Sequence, residues 1–233
     1  MPQPPIIGLS LDFEQSSHFS DAPHYCLRTH YFDAVVKAGG IPLGLGYYPE
    51  QIPQYIDLID ALIVPGGDFA LDPSWYIQNN SSPFEASPRL QFDTSMITAA
   101  LNKNIPVLGI CAGMQTLACM HGCKLSSSIE NHKHYPRTEY AHDITIEHNT
   151  LLHHATNAST MPVNSVHVEA ITQAPDNVIV SARSMDGTIE AIELPQYRFA
   201  LGIQWHPEFF LEVNNPNYMV FQKFIAAANT NRT

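Results

Sequence analysis

The sequence predicts an α/β fold: an open, mostly parallel, doubly wound sheet with helices on both faces and antiparallel strand additions in the C-terminal half. Three observations carry this expectation. In the first half, short apolar runs alternate with segments of helical spacing, the rhythm of a parallel sheet covered on both sides. The central run, Ile105 to Ile110, has the length and character of a strand buried on both faces. Beyond Ser126 the pattern changes to short β-like segments, with Asp186-Gly187 between two of them as a hairpin signal.

Taken in order, Ile6 to Leu11 reads as the first strand and Asp12 to Pro23 as a polar loop. Arg28 to Ala38 is helical, with Tyr31, Phe32, Val35 and Val36 on one side, and Gly39-Gly40 ends it. Ile41 to Leu45 is a strand, Ile52 to Ile59 a short helix, and Asp60 to Val64 a strand stopping at Pro65-Gly66-Gly67. Asp68 to Pro88 is a long aromatic loop, which in a compact domain is functional or mobile. Arg89 to Leu101 is helical, and Arg89 and Asp93 fall one turn apart, where a solvated surface pair is expected. The central strand follows, then a helix from Met114 to His121 and a strand start at Gly122 to Leu125. Asp143 to Glu147, Pro162 to Ile171, Val178 to Ala182, Thr188 to Leu194 and Phe199 to Trp205 read as strands, and Asn217 to Ala228 as an amphipathic helix. With no internal repeat and no low-complexity linker, residues 1–233 are expected to form a single domain of flavodoxin-like, doubly wound type. Such sheets place ligands at the carboxyl ends of their strands, where Gly66-Gly67 and Cys111 both fall.

Composition narrows the class. With 45% hydrophobic and 14% charged residues, the chain describes a compact, soluble protein. A formal net charge of −11, with no Lys/Arg cluster, argues against nucleic acid and anionic membrane as partners. The segment Met1-Pro2-Gln3-Pro4-Pro5 lacks the regions of a signal peptide, and no apolar run approaches the roughly 18 residues of a membrane span. Four cysteines, Cys26, Cys111, Cys119 and Cys123, have neither disulfide density nor paired C-x-x-C spacing, which fits a reducing cytoplasm.

The chemistry centres on Gly109-Ile110-Cys111-Ala112-Gly113. A strand that breaks at a cysteine, with glycines two residues on either side and a helix following, has the spacing of a nucleophile elbow. Close backbone packing around such a turn excludes Cβ atoms at the glycines. The new helix directs its N-terminus at the sulfur, where unpaired N–H groups favour a thiolate and later an oxyanion. A cysteine nucleophile needs a base, and the base an orienting group. Among twelve histidines, His206 follows a buried strand and has Glu208 two residues on, with Pro207 constraining the turn. Cys111, His206 and Glu208 thus form a candidate triad. His132-Lys133-His134 and His153-His154 have no Cys or carboxylate at ligand spacing, so no metal site and no cofactor are expected.

Pro65-Gly66-Gly67, Gly109 to Gln115 and Gly202-Ile203-Gln204-Trp205-His206-Pro207-Glu208 together resemble the class I glutamine amidotransferase domain. Within that group the chain is most similar to the stand-alone γ-glutamyl hydrolases typified by γ-glutamyl-γ-aminobutyrate hydrolase. Further segments carry that likeness: Arg28-x-x-Tyr31 with Ala38-Gly39-Gly40-Ile41-Pro42, Asp72 to Tyr76, Val163-Asn164-Ser165-Val166-His167, and Asp186 to Glu193. The resemblance runs from about Ile6 to Phe210. It implies Cys111 as nucleophile, His206 as base and then acid, Glu208 as orienting carboxylate, and the backbone N–H groups of Gly67 and Ala112 as oxyanion hole. Gly66, Gln115, Ser165 and His167 fall where the family contacts the glutamyl part of its substrate. A metal-free hydrolysis of a small γ-glutamyl amide through a glutamyl thioester is implied, with homo-oligomerisation left open.

Departures bear on the leaving amine. The family elbow usually carries Arg at the position of Ala112, and the hydrolases commonly have His and Gln at the positions of Val168 and Glu169. The loop from Gly67 to Pro73 is about one residue longer than the family pattern. Trp75, Tyr76 and Glu169 are expected near the amine side. Two alternatives stand beside hydrolysis: a glutaminase subunit passing ammonia to a separate synthetase, and a catalytically silent binding protein on the same scaffold.

Overall fold

The computed structural model describes residues 3–230, so Met1 and Pro2 of the leader argument lie outside it. The strands are β1 (Ile6–Ser10), β2 (Asp12–Glu14), β3 (His24–Cys26), β4 (Ile41–Leu45), β5 (Ala61–Val64), β6 (Val107–Ile110), β7 (Lys124–Ser126), β8 (His142–Ile146), β9 (Thr160–Val163), β10 (Ala170–Gln173), β11 (Ile179–Ser184), β12 (Ile189–Glu193) and β13 (Ala200–Ile203). The helices are α1 (Thr29–Lys37), α2 (Ile52–Leu58), α3 (Arg89–Asn102), α4 (Ala112–Cys119), α5 (Leu151–Thr156) and α6 (Pro216–Asn229).

A nine-stranded sheet in the order β4-β1-β5-β6-β13-β12-β11-β8-β9 forms the frame. From β4 to β13 every pairing is parallel, and from β13 to β9 every pairing is antiparallel. The sequence therefore anticipates both the parallel half and the returning half. All residues of β5, β6 and β13 are buried, as a sheet with helices on both faces requires. Along β5, Leu62 and Val64 face a core shared with α2, α3 and α4, while Ala61 and Ile63 face one shared with α1, α5 and α6. This two-residue alternation is the pleat of the strand assigning side chains to opposite layers.

Local signals set the helix ends. Gly39, at φ +94°, closes α1, with its N–H bonded to Val36 O and that of Gly40 to Val35 O. Asn215 caps α6 through its side-chain oxygen, and Pro216 occupies the first helical position. The Asp186-Gly187 hairpin joins β11 to β12, with Gly187 at φ +90° and Asp186 Oδ1 accepting from Thr188 N–H at 3.0 Å.

Three segments differ from the sequence reading. Asp12 to Pro23 is not only loop, because Asp12–Glu14 pairs with His24–Cys26 as a small antiparallel ribbon. Pro162 to Ile171 is not one strand: β9 ends at Val163 in the main sheet, and β10 begins at Ala170 in a two-stranded sheet with β7. The six residues between them cross from one sheet to the other, which periodicity within a window cannot register. The third is the Arg89–Asp93 pair. Both side chains are fully buried rather than solvated, with Nε donating to Asp93 Oδ2 at 3.0 Å.

Candidate active site

Register along the sheet brings the elbow and His206 together. Ile110 of β6 lies beside Ile203 of β13, and Gly109 beside Val64 of β5. Adjacent parallel strands are under 5 Å apart, so the residues leaving their carboxyl ends meet at one rim. Those residues are Gly66 and Gly67 after β5, Cys111 after β6, and His206 after β13.

Cys111 has φ 53° and ψ −111°, outside the regions comfortable for a residue with a Cβ. Such a conformation costs on the order of 1–3 kcal/mol and persists only where its surroundings impose it. Here its N–H bonds to Ile203 O at 2.8 Å, and its carbonyl accepts from Gln115 N–H at 3.0 Å as α4 begins. The two glycines have direct reasons. A Cβ at Gly109 would lie 2.6 Å from Gly113 O, and one at Gly113 would lie 1.9 Å from Val64 O. Neither contact is with a side chain that could turn aside.

His206 Nδ1 donates to Glu208 Oε1 at 2.8 Å, and Cys111 lies near enough to act on the charge of the imidazole. Burial alone would push the imidazolium down. The Glu208 carboxylate first, and then Cys111, more than reverse this and raise His206 from 6.5 to about 9. Glu208 is itself fully buried, which opposes its charge, but the facing imidazole holds it below the usual carboxylate range. Tyr31 stands behind the pair. Its hydroxyl accepts from Arg28 Nη2 and from Gly66 N–H, both at 3.1 Å, and lies 3.4 Å from His206 Nδ1. Burial and the nearby Glu208 carboxylate keep Tyr31 a neutral phenol.

Two supports were not visible in the sequence. Asn164 clamps the backbone of His206, accepting from its N–H at 2.8 Å and donating to its carbonyl at 3.1 Å. Asn164 belongs to the Asn-Ser-x-His segment, yet nothing local indicates that its amide serves a residue 42 positions away. Arg89 does the same for the Pro-Gly-Gly turn. Its guanidinium donates to Gly66 O at 3.1 Å and to Pro65 O, while Asp93 and Asp12 hold its charge against the cost of burial. What looked like a surface pair braces the loop that carries Gly67.

Two hollows meet at Gly67, Asp68, Cys111 and Val166. The first is walled by Gln115, His167, Glu169, Lys133 and Tyr135, and by Phe84 of the aromatic loop. The second, on the other side of Cys111, is walled by Asp12, Phe13, Glu14, Arg28, Arg137 and His206. Gly67 reaches both. Ala112 is the first residue of α4, where a helix N–H has no acceptor within the helix. Gln115 and His167 lie on the cavity wall, with the His167 ring nitrogens facing Glu169 O and Glu190. Two other expected substrate contacts do not. The Gly66 N–H is bonded to Tyr31, and the buried Ser165 hydroxyl donates to His132 O at 2.7 Å. Glu169 lies in the same hollow as Gln115 and His167 rather than apart from them, with Tyr76 behind it donating to Oε1 at 2.6 Å. Trp75 packs against the core and is not on the wall. The remaining thiols are of another kind. All four cysteines are free, and burial raises Cys119 well above the usual thiol range and Cys123 to about 11.

This fold and elbow define a member of the class I glutamine amidotransferase-like superfamily. More narrowly, the profile of the Peptidase C26 family matches residues 5–208, and the chain belongs to that family. Among similar proteins, a glutamine amidotransferase-like protein of Rickettsia prowazekii is 33% identical, covering 98% of this chain and 99% of its own. The γ-glutamyl-γ-aminobutyrate hydrolase of Escherichia coli (strain K12) is 30% identical over 86% of this chain and 85% of its own. Among solved structures, the glutaminase domain of Trypanosoma brucei CTPS with bound acivicin shares the fold at TM-score 0.64 and 16% identity, over 97% and 94% of the two chains. No helix among the described residues is long and apolar enough to cross a membrane.

Proposed function

We propose that this chain, acting as one domain, hydrolyses a small γ-glutamyl amide, with Cys111, His206 and Glu208 as the catalytic triad. The observation that carries the reading is the buried His206–Glu208 hydrogen bond set beside Cys111 at a strained elbow. In the first half-reaction the Cys111 thiolate attacks the side-chain carbonyl carbon of the glutamyl group. Negative charge on the carbonyl oxygen is taken up by the N–H groups of Gly67 and Ala112. As the intermediate collapses, the C–N bond breaks, and protonated His206 gives its proton to the departing amine. A glutamyl thioester remains. In the second half-reaction His206 takes a proton from water, the resulting oxygen nucleophile attacks the thioester, and glutamate leaves as the thiol reforms.

The two hollows divide the substrate at the scissile bond. The one holding Gln115, His167, Glu169 and Lys133 takes the glutamyl group. There a carboxylate and an ammonium suit the zwitterionic α-amino and α-carboxyl groups. The hollow lined by Asp12, Glu14, Arg28 and Arg137 takes the amine. Mixed charge in that second hollow suits a polar amine. The kinship with γ-glutamyl-γ-aminobutyrate hydrolase supports the reaction class.

The test is turnover of a γ-glutamyl amide panel by wild type and Cys111→Ala, with mass spectrometry of quenched wild-type reactions. A glutamyl adduct on Cys111 and no turnover by the variant are expected. Equal turnover by both proteins would sink the assignment. Glutaminase activity seen only with a co-purifying partner would favour the ammonia-transferring subunit instead.

A further inference from the structure

His132, His142 and Glu190 come from three separate elements: the segment after β7, the first residue of β8, and the second residue of β12. One ligand atom from each can be chosen so that all three lie within 4.8 Å of one another. Around Glu190 Oε1 stand His132 Nδ1 at 3.3 Å, His142 Nε2 at 3.6 Å and His167 Nε2 at 3.8 Å. The His132 ring is 4.9 Å, centre to centre, from both other rings.

The outer nitrogens decide what the inner ones offer. His132 Nε2 faces Asp186 Oδ2 at 2.9 Å, His167 Nδ1 faces Glu169 O at 3.0 Å, and His142 Nδ1 faces Asp143 O at 3.3 Å. Each of these partners can only accept, so each outer nitrogen carries the hydrogen. In a neutral imidazole the other nitrogen is then a lone pair. Where all three imidazoles are neutral, three lone pairs converge on the carboxylate, and Ser165 Oγ stands 3.3 Å from His132 Nδ1 as well. Glu190 is fully buried, and no donor among the described residues meets either of its oxygens at hydrogen-bonding geometry. His142 Nε2 and His167 Nε2 are orphaned in the same way. A buried carboxylate facing only acceptors costs several kcal/mol unless a cation compensates.

We propose that His132 Nδ1, His142 Nε2 and Glu190 bind a zinc-type divalent transition-metal ion. The separations suit this. Ligands about 2.0–2.1 Å from a tetrahedral zinc are ~3.3 Å from one another, close to the spacings observed. Imidazole with carboxylate suits zinc, and two neutral imidazoles with one carboxylate leave a single positive charge, which Asp186 offsets. Asp186 on the outer nitrogen of His132 is the carboxylate–histidine–metal arrangement that fixes tautomer and ring orientation. His142, at the partly exposed edge, provides the route in.

The ion would staple the segment around His132 onto β12. That segment is tied to the active-site wall: His167 N–H bonds to His132 O at 3.0 Å, and His134 N–H to Ser165 O at 2.8 Å. Lys133 and Tyr135, which line the enclosed hollow, ride on it. The role is structural, so it stands or falls apart from the hydrolysis reading.

The experiment uses the full chain carrying Cys111→Ala, so that the elbow thiol cannot ligate. Zn²⁺ uptake is measured by elemental analysis after dialysis, and Co²⁺ binding by visible ligand-field absorption. One equivalent of Zn²⁺, a tetrahedral Co²⁺ spectrum and a Zn²⁺-dependent rise in Tm are expected. Both His142→Ala and Glu190→Gln should abolish the spectrum. Asp186→Asn, on an exposed hairpin where folding is not at stake, should weaken Co²⁺ binding about 10–100-fold. Replacing the exposed His154 with alanine should change nothing. The proposal is overturned if the parent protein takes up no stoichiometric metal, or if metal binds equally well in His142→Ala. It is equally overturned if nitrogen NMR shows His132 protonated on both ring nitrogens whether or not Zn²⁺ is added.

Discussion

Two buried histidine–glutamate assemblies sit on this sheet, and they differ in where their hydrogens can go. At the elbow, groups alternate: Glu208 accepts from His206, which in turn meets Cys111. The Glu208–His206 contact has a donor and an acceptor, although the second Glu208 oxygen has no partner of its own. Around Glu190 the order is different, because three imidazole nitrogens converge on one carboxylate oxygen. The same residue types therefore do different work. An alternating chain suits acid–base chemistry, whereas a convergent set suits a cation.

The largest break in this comparison should come from Cys111→Ala, which is expected to lower kcat by about 10⁴-fold or more while leaving Tm within a few degrees, read by turnover and calorimetry. Glu208→Gln comes next. It keeps the shape but lets the side-chain amide present a hydrogen to Nδ1, favouring the wrong tautomer, and kcat should fall by roughly 10³–10⁴-fold. Arg89→Met tests the brace beneath Gly67. Leaving Asp93 buried without its partner should cost about 3–5 kcal/mol, seen as a Tm lower by roughly 10 °C, together with a fall in kcat. Asn164→Ala loosens the seat of His206 and frees the Arg137 carbonyl that the same amide holds at 2.6 Å, and should reduce kcat by about 10–100-fold.

The smallest effect expected is a pH dependence of stability. His206 is raised from 6.5 to about 9, so its contribution is complete below pH 6.5 and is lost as pH rises through 9. Glu208 is shifted the other way, so its contribution is present above its ordinary value and lost as pH falls below it. Melting temperature measured between pH 6 and about 10 should decline in wild type and be flatter in Glu208→Gln. An unchanged slope would detach the His206 shift from Glu208.

Much of the candidate site was legible because its signals are local. Cys111 announces itself through two glycines and a strand-to-helix change, and His206 and Glu208 are separated by a single proline. The hairpin at Asp186-Gly187 and the helix stop at Gly39 depend on backbone conformations that few residues adopt. Arg89 was misread for the opposite reason. Spacing of one turn identifies a partner in Asp93 but not the medium around the pair, and burial reverses what such a pair does. Ser165 and Gly66 were expected to face substrate, yet their polar groups are committed to His132 and Tyr31. Linear order does not tell which neighbour reaches a hydroxyl or an N–H first.

From the chain alone one can read the parallel and antiparallel halves, the elbow and its imidazole–carboxylate pair. All of these follow from periodicity, steric exclusion at glycine and short-range spacing. Only folding decides that Asn164 holds His206, that Arg89 holds the Pro-Gly-Gly turn, and that Glu169 shares a hollow with Gln115. It also decides that His132, seen in sequence without a carboxylate within reach, meets Glu190 from a strand 58 residues onward, with Asp186 fixing its outer nitrogen. Such encounters depend on strand order and register, which bring distant residues within a few ångströms and leave no trace in the residues on either side.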